Sequence, residues 1–353
     1  MQCCRPAFIA RQIGSTAGTS SARSFASSAA RRSEAKASDA ASRLMDAFAG
    51  KSTIQRQLID GNQLQKLSLT LGRTTIGDHD VTERPPPAGT PVPAGYHLVY
   101  FTPNGLETEL GADGSDRTYN AAAPFSRRMW AGGNMTWPTT SEGGGKAPLM
   151  RVGDEIEERT KLLNATPKKS RSAGEMVLVE VEKEFWGPQG LALVDNRSWL
   201  FRPEVDPTAK AADPPAASRT IKGPTLISDI QDAGSSFPSR ELCWSPVGLF
   251  RFSALTFNGH KIHYNEDWSN TVEGHPGLVV HGPLNLINIL NYWRDVHGNG
   301  QGPRHVKYRA MAPLYSGDKY HVSTTNVAEG SKGREYEISA QKEGTVCMKA
   351  EIR

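Results

Sequence analysis

The chain has 353 residues, 37% of them apolar and 22% charged, with a formal net charge of +4. That is long enough for one large or two medium domains around a real core, which excludes the disordered, fibrous and disulfide-framework classes. The positive charge is local: Arg5, Arg11, Arg23, Arg31 and Arg32 all precede the first acid, Glu34, so the remainder lacks the basic footprint of a nucleic-acid binder.

Residues 1–40 are rich in Ser, Ala and Arg, the composition of a mitochondrial presequence followed by a disordered tail. Arg23-Ser24-Phe25-Ala26 suits a matrix processing site, so the expected compartment is the mitochondrial matrix; an ordinary disordered tail is the alternative. No apolar run reaches the length of a membrane span. Cys3 and Cys4 lie in this leader. Cys243 and Cys347 are far apart without CxxC spacing, and read as small core residues of a reducing compartment.

From 41 to 72, Leu44, Phe48, Ile54, Leu58 and Leu64 recur at helical spacing and predict helices. Consecutive prolines make a loop of 84–93, and Tyr96 to Phe101 is a short buried element whose type periodicity cannot choose. From Arg128 the pattern alternates. Val177, Val179 and Val181 share one face with Glu180, Glu182 and Glu184 on the other, and Gly187-Pro188-Gln189-Gly190 turns this strand into a second one over 191–201. Residues 203–223, rich in Pro, Ala and charge, form a linker between domains at 41–202 and 224–353. Beyond it a helix is predicted over 283–297 with Leu286, Ile289, Leu290 and Trp293 on one stripe, stopped by Gly298-Asn299-Gly300. Strands follow at 305–312, around 320–325, and at 344–352, where Val346, Met348, Ala350 and Ile352 share a face. A helix followed by antiparallel strands, read twice over from element order, gives an α+β repeat in which each sheet wraps a helix.

The densest chemistry lies in Asn258-Gly259-His260-Lys261-Ile262-His263-Tyr264 and in Val280-His281-Gly282-Pro283. Two imidazoles and an amide share one polar turn, and an apolar segment then leads to a Gly-Pro step that opens a helix. Helix N-terminal N–H groups lack internal partners and can hold an oxyanion, Gly282 allows close approach, and Pro283 suits the first turn. A histidine beside them can move a proton near neutral pH. Addition or elimination of water next to a thioester carbonyl needs this combination.

These residues resemble the hydratase motif of the MaoC-like hot-dog dehydratases, Asp-x-Asn-Pro-x-His followed downstream by His-Gly. Within that family the fungal mitochondrial 3-hydroxyacyl-thioester dehydratases of type 2 are nearest, on Val272-Glu273-Gly274, Arg127-Arg128-Met129-Trp130 and Met348-Lys349-Ala350. The resemblance spans roughly 60–353. It implies a double hot-dog fold, one active site supplied mainly by the C-terminal repeat, and reversible syn hydration of trans-2-enoyl thioesters carried on coenzyme A or an acyl carrier protein, in mitochondrial fatty-acid synthesis. No metal or redox cofactor is called for, because the thioester itself acidifies C2, and a homodimer is compatible with it. Asn258 falls where the family has Asp, His260 where it has Asn, His263 on the catalytic His, and Gly282 on the oxyanion donor. An amide cannot accept a proton as a carboxylate can. His263 is therefore expected to move the protons, Asn258 to hold the oxygen, and His260 to partner His263 or replace the missing titrating group.

Each assignment has a structural alternative. His263 would otherwise be a buried core histidine, Asn258 a turn former bonding its own backbone, His260 a surface turn residue, and Gly282 only a helix start. His281 is expected to pack or orient. Arg128 and Trp130, with Arg127, are candidate substrate contacts whose alternative is a structural strand. His275 reads as loop, and Glu266 and Asp267 as solvated. Two other functions stay open: hydration of a short dicarboxylic acyl-CoA such as mesaconyl-CoA or itaconyl-CoA, suggested by Trp130-Ala131-Gly132-Gly133, and non-catalytic binding of acyl thioesters, which Asn258 permits.

Overall fold

The computed structural model describes residues 36–353 apart from 141–144, 172–173, 205–222, 232–233 and 331–332. Residues 1–35 of the predicted leader and most of the predicted linker thus lie outside the described residues; residues 37–40, expected to end a disordered tail, instead form the first turn of a helix in which Ala37 and Ala40 are buried. In chain order the elements are α1 (Ala37–Phe48), β1 (Ser52–Leu58), α2 (Gly61–Thr70), the short β2 (Thr75–Ile76) and β3 (His79–Asp80), β4 (Arg127–Thr136), β5 (Glu155–Ser170), β6 (Gly174–Gly187) and β7 (Gly190–Arg202). The second half has β8 (Leu226–Ile230), β9 (Ser239–Cys243), α3 (Pro246–Leu255), α4 (Glu266–Thr271), α5 (Gly282–Val296), β10 (His305–Ala310), β11 (Lys319–Gly330), β12 (Gly333–Lys342) and β13 (Thr345–Ile352).

One antiparallel sheet of eleven strands, ordered β1-β5-β6-β7-β4-β10-β13-β12-β11-β9-β8, carries the molecule. Its seam is β4 against β10, from His305 opposite Thr136 to Arg309 opposite Gly132, so the two halves share a continuous ladder. The hairpin β6–β7 sits where the alternation and the Gly-Pro-Gln-Gly turn put it, and Val177, Val179 and Val181 are fully buried. This is the double hot-dog architecture.

The second repeat wraps its sheet around α5. That helix is buried all round from Leu284 to Trp293 rather than along one stripe. The interior asparagines are satisfied: Tyr320 Oη donates to Asn285 Oδ1 at 2.9 Å, and Asn288 Nδ2 donates to Tyr320 Oη at 3.3 Å. The first repeat fills its concave face differently. At one end Ala37, Ala40, Ala41 and Leu44 of α1 meet the three valines of β6. At the other end Leu64 and Leu67 of α2 and a single 3₁₀ turn, Tyr96–Val99, join the main core. Among the described residues, no helix of α5's length covers the middle, which leaves room for a cavity.

Two expectations are corrected. Ile54 and Leu58 belong to a strand, not a helix: β1 is an edge strand paired with β5 from Ser52 opposite Lys161 to Leu58 opposite Glu155. Its β-branched Thr53-Ile54 and a partner about a hundred positions away override a helical spacing that only coincides. The chain closes with four strands, since β12 lies between the expected second and third. Among the described residues, no helix is long and apolar enough to cross a membrane. Cys243 and Cys347 are free and buried.

Candidate active site

The turn that carries Asn258, His260 and His263 is built by how α3 ends. Ser245 caps the start of α3 by accepting from Gly248 N at 3.0 Å, and beyond its last turn Asn258 N donates to Ser253 O at 2.9 Å. Phe257 takes a left-handed φ of 48°, which swings the chain into the turn. Asn258 Oδ1 then accepts from His260 N at 3.0 Å, so its oxygen closes the turn, as the structural alternative had it, while its amide hydrogens are left for a ligand of the cavity that Asn258 lines.

His263 ends a 3₁₀ turn and is buried. Its Nδ1 lies 2.7 Å from Val279 O, which fixes the tautomer: Nδ1–H donates, and Nε2 keeps a lone pair. Its ring stacks on His281 at 3.6 Å and 18°. Burial, helped by the neighbouring His260, pushes His263 down to about 3, and burial with His263 alongside drives His281 well below its ordinary value. The two stacked rings are therefore neutral at physiological pH. Ser253 Oγ holds His281 Nε2 at 2.9 Å, and His281 Nδ1 is buried without a partner.

His281 is also the residue before α5. It makes no side-chain cap, so the N–H of Gly282 stays unclaimed at the positive end of the helix dipole. Glycine suits the packing at 282: a Cβ there would sit 3.0 Å from Cβ and Cγ of Trp130, closer than ordinary contact, so the indole would have to give way. The β4–β7 register slips between Trp130 and Gly132, and this bulge aims Trp130 over the start of α5.

All these groups face one cavity of about 1360 Å³. Asn258, His260, His263, His281, Gly282, Arg128 and Trp130 line it together, and Arg127, Arg202 and Arg309 do not. Arg127 instead pairs with Glu273 and pins the loop before α5 to β4. His275, in that same loop, reaches the cavity, whereas Glu266 and Asp267 are exposed. The rim carries the exposed Phe250, Phe257 and Tyr264. The floor runs across the first repeat's part of the sheet and is ionic: Lys183 Nζ lies 2.7 Å from Glu158 Oε1, and Arg197 lies 2.7 Å from Asp195. Although burial raises Asp195, Arg197 and His97 hold it at about 2. Arg128 donates to Asp116 at 3.4 Å and lies over Trp199, and burial pulls its pKa below the usual value.

Sequence reading missed this floor and one further segment. The loop through Asp113 and Gly114, from the first half, docks on the turn of the second. Lys261 N donates to Asp113 O at 2.8 Å, Lys261 Nζ to Ala112 O at 2.7 Å, and a Cβ on Gly114 would fall 2.1 Å from Gly259 O. Glycine at both 114 and 259 is the only trace of this contact in the sequence.

A free helix N–H, lone-pair imidazoles and an amide around one cavity in a double hot-dog frame define a hydro-lyase. The chain belongs to the hydroxyacyl-thioester dehydratase type 2 family, whose model matches residues 95–316. It is 30% identical over 232 residues to the mesaconyl-C(4)-CoA hydratase of Chloroflexus aurantiacus, covering 65% of this chain and 73% of that one. It is 24% identical over 251 residues to the mitochondrial hydroxyacyl-thioester dehydratase type 2 of Schizosaccharomyces pombe, covering 64% and 75%. The crystal structure of a MaoC-like dehydratase from Phytophthora capsici superposes with a TM-score of 0.55 at 12% identity, covering 87% and 97%, which shows the shared fold.

Proposed function

We propose that the chain interconverts 3-hydroxyacyl and trans-2-enoyl thioesters in the mitochondrial matrix, as a dehydratase of fatty-acid synthesis acting on acyl groups carried by coenzyme A or an acyl carrier protein. The observation that carries this reading is the convergence of the imidazoles, Asn258 and the Gly282 N–H on one cavity. The compartment rests on the acid-free, Arg-rich leader and on the name of the fission-yeast relative.

In the dehydration direction the thioester oxygen accepts from Gly282 N–H. An imidazole takes the C2 proton, and the C–H electron pair moves onto the thioester oxygen as an enolate, held by that N–H and the helix end. The enolate collapses to C2=C3, the C3–O bond breaks, and the hydroxyl leaves with the same proton as water. One base suffices, because the proton removed from C2 is the one returned. His263 Nε2 and the Asn258 amide hold the C3 oxygen, one as acceptor and the other as donor.

A second reading has a specific observation behind it. Lys183 and Arg197 are closely paired with Glu158 and Asp195, but Arg128, whose contact with Asp116 is long at 3.4 Å, lines the cavity as a cation that can meet a second carboxylate, and the relative from Chloroflexus is named for such a substrate. Initial rates with crotonyl-CoA, a long-chain trans-2-enoyl-CoA and mesaconyl-CoA decide. Highest kcat/KM on the unsubstituted chains supports the first reading, and preference for mesaconyl-CoA supports the second. Binding of all three without turnover leaves a thioester-binding protein and ends the enzymatic reading.

A further inference from the structure

His260 and His263 have partners of different kinds. His263 Nδ1 is held by a backbone carbonyl, whereas His260 Nε2 lies 3.4 Å from Oδ2 of Asp113, with both side chains largely buried. The rings stand edge to face at 5.4 Å. Asp113 is itself fixed, since its Oδ1 accepts from Ser115 N at 2.9 Å and from Ser115 Oγ at 2.7 Å, leaving Oδ2 for the imidazole. A neutral carbonyl can orient an imidazole, but only a carboxylate can also neutralise the imidazolium that forms when the ring takes a proton.

We propose that His260 is the proton carrier of this site and that Asp113, reaching across from the first half of the chain, is its positioning residue. The proposal rests on the hydro-lyase reading above and names the group that does its proton transfer. In the tautomer that carries its hydrogen on Nε2, beside Asp113, His260 Nδ1 has the lone pair that takes the C2 proton. The resulting imidazolium shares its charge with Asp113 and returns that proton from Nδ1 to the departing hydroxyl. The C–H bond breaks as the enolate forms, the C3–O bond breaks as water leaves, and His260 ends neutral as it began. Asn258, whose oxygen is spent on the turn, then needs no proton of its own. The first half thus supplies an acid that the motif itself lacks, delivered by the contact of Gly114 with Gly259.

The charged and titratable groups facing His260 are Asp113, Glu273, Arg128, His275 and His263. Of these, Asp113 is the one within ion-pair distance. Asp113→Asn keeps an oxygen for Ser115 and removes only the charge. It should lower kcat about 10- to 100-fold with KM little changed, and move the acid limb of the kcat/KM profile about one pH unit or more lower, because an unaided imidazolium is harder to form. His260→Gln should lower kcat about 100-fold, and adding Asp113→Asn to it should cost nothing more.

Nuclear magnetic resonance titration of the His260 ring, identified by its loss in His260→Gln, gives a readout free of turnover: its pKa falls in Asp113→Asn. An unchanged pH profile and an unchanged His260 titration in Asp113→Asn overturn the proposal. So does a full Asp113→Asn loss that persists in the His260→Gln background. Wild-type protein that turns over no thioester sinks the functional reading instead, while the titration still tests the dyad.

Discussion

Replacing Gly114 with Ala tests whether the first half builds the active site. Gly114 has φ +81°, so an Ala there costs about 1–2 kcal/mol of left-handed strain before any contact is counted. Its Cβ would lie 2.1 Å from Gly259 O and 2.9 Å from Gly259 C, so the loop must retreat by more than about 1 Å to reach ordinary contact. A shift of about 1 Å at reacting groups can cost about 100-fold in rate. The expected outcome is therefore a roughly 100-fold fall in kcat/KM with a stability loss of about 1–3 kcal/mol. Absorbance of the enoyl thioester reports the rate, and thermal melts report the stability. Gly89→Ala is the control, because Gly89 has φ +86° with nothing within 4 Å of its Cβ, giving strain without displacement. A Gly114→Ala enzyme within about threefold of wild type, or a Gly89→Ala enzyme equally inactive, would refute the reasoning.

His263→Ala should lower kcat at least about 100-fold while the protein still binds CoA esters, and near-normal turnover would remove that imidazole from the chemistry. Asn258→Asp keeps the oxygen that closes the turn on His260 N and trades an amide for a carboxylate beside two imidazoles. Partial activity with the acid limb moved to higher pH is expected, and complete inactivity would show that the amide donor is required. Stability should fall as pH drops below about 6.5: His263 is neutral in both states above that, and between there and about 3 only the unfolded chain takes its proton. Each pH unit in that window costs about 1.4 kcal/mol for His263, and His281 adds in the same direction. Melting temperature against pH measures this, and a His263→Gln protein with an unchanged slope would contradict it.

What was legible in the sequence was what short-range pattern controls. Val177, Val179 and Val181 alternate because one face of β6 meets α1, and a Gly-Pro-Gln-Gly turn fixes the register with β7. Gly282-Pro283 at one end and Gly298-Asn299-Gly300 at the other bracket α5 to within a residue. What failed depended on distant partners. Ile54 and Leu58 are four apart and imitate a helix, but the strand that recruits them begins at Glu155. The same holds for the site. The two imidazoles, Asn258 and Gly282 were readable because they lie close together on one turn and the helix start it leads to. Lys183, Arg197 and Glu158 meet the cavity only through cross-strand register. Asp113, in Gly111-Ala112-Asp113-Gly114, looks like any Gly-rich turn until the fold sets it against His260.

An acyl thioester is expected to lie with its carbonyl at the start of α5 and its C3 between the imidazoles. A crystal structure with bound 3-hydroxybutyryl-CoA tests this placement most directly. The thioester oxygen should lie about 2.7–3.1 Å from Gly282 N, with the C3 hydroxyl at His263 Nε2 and C2 facing His260. A ligand held elsewhere in the cavity, its carbonyl turned away from Gly282, would contradict the account.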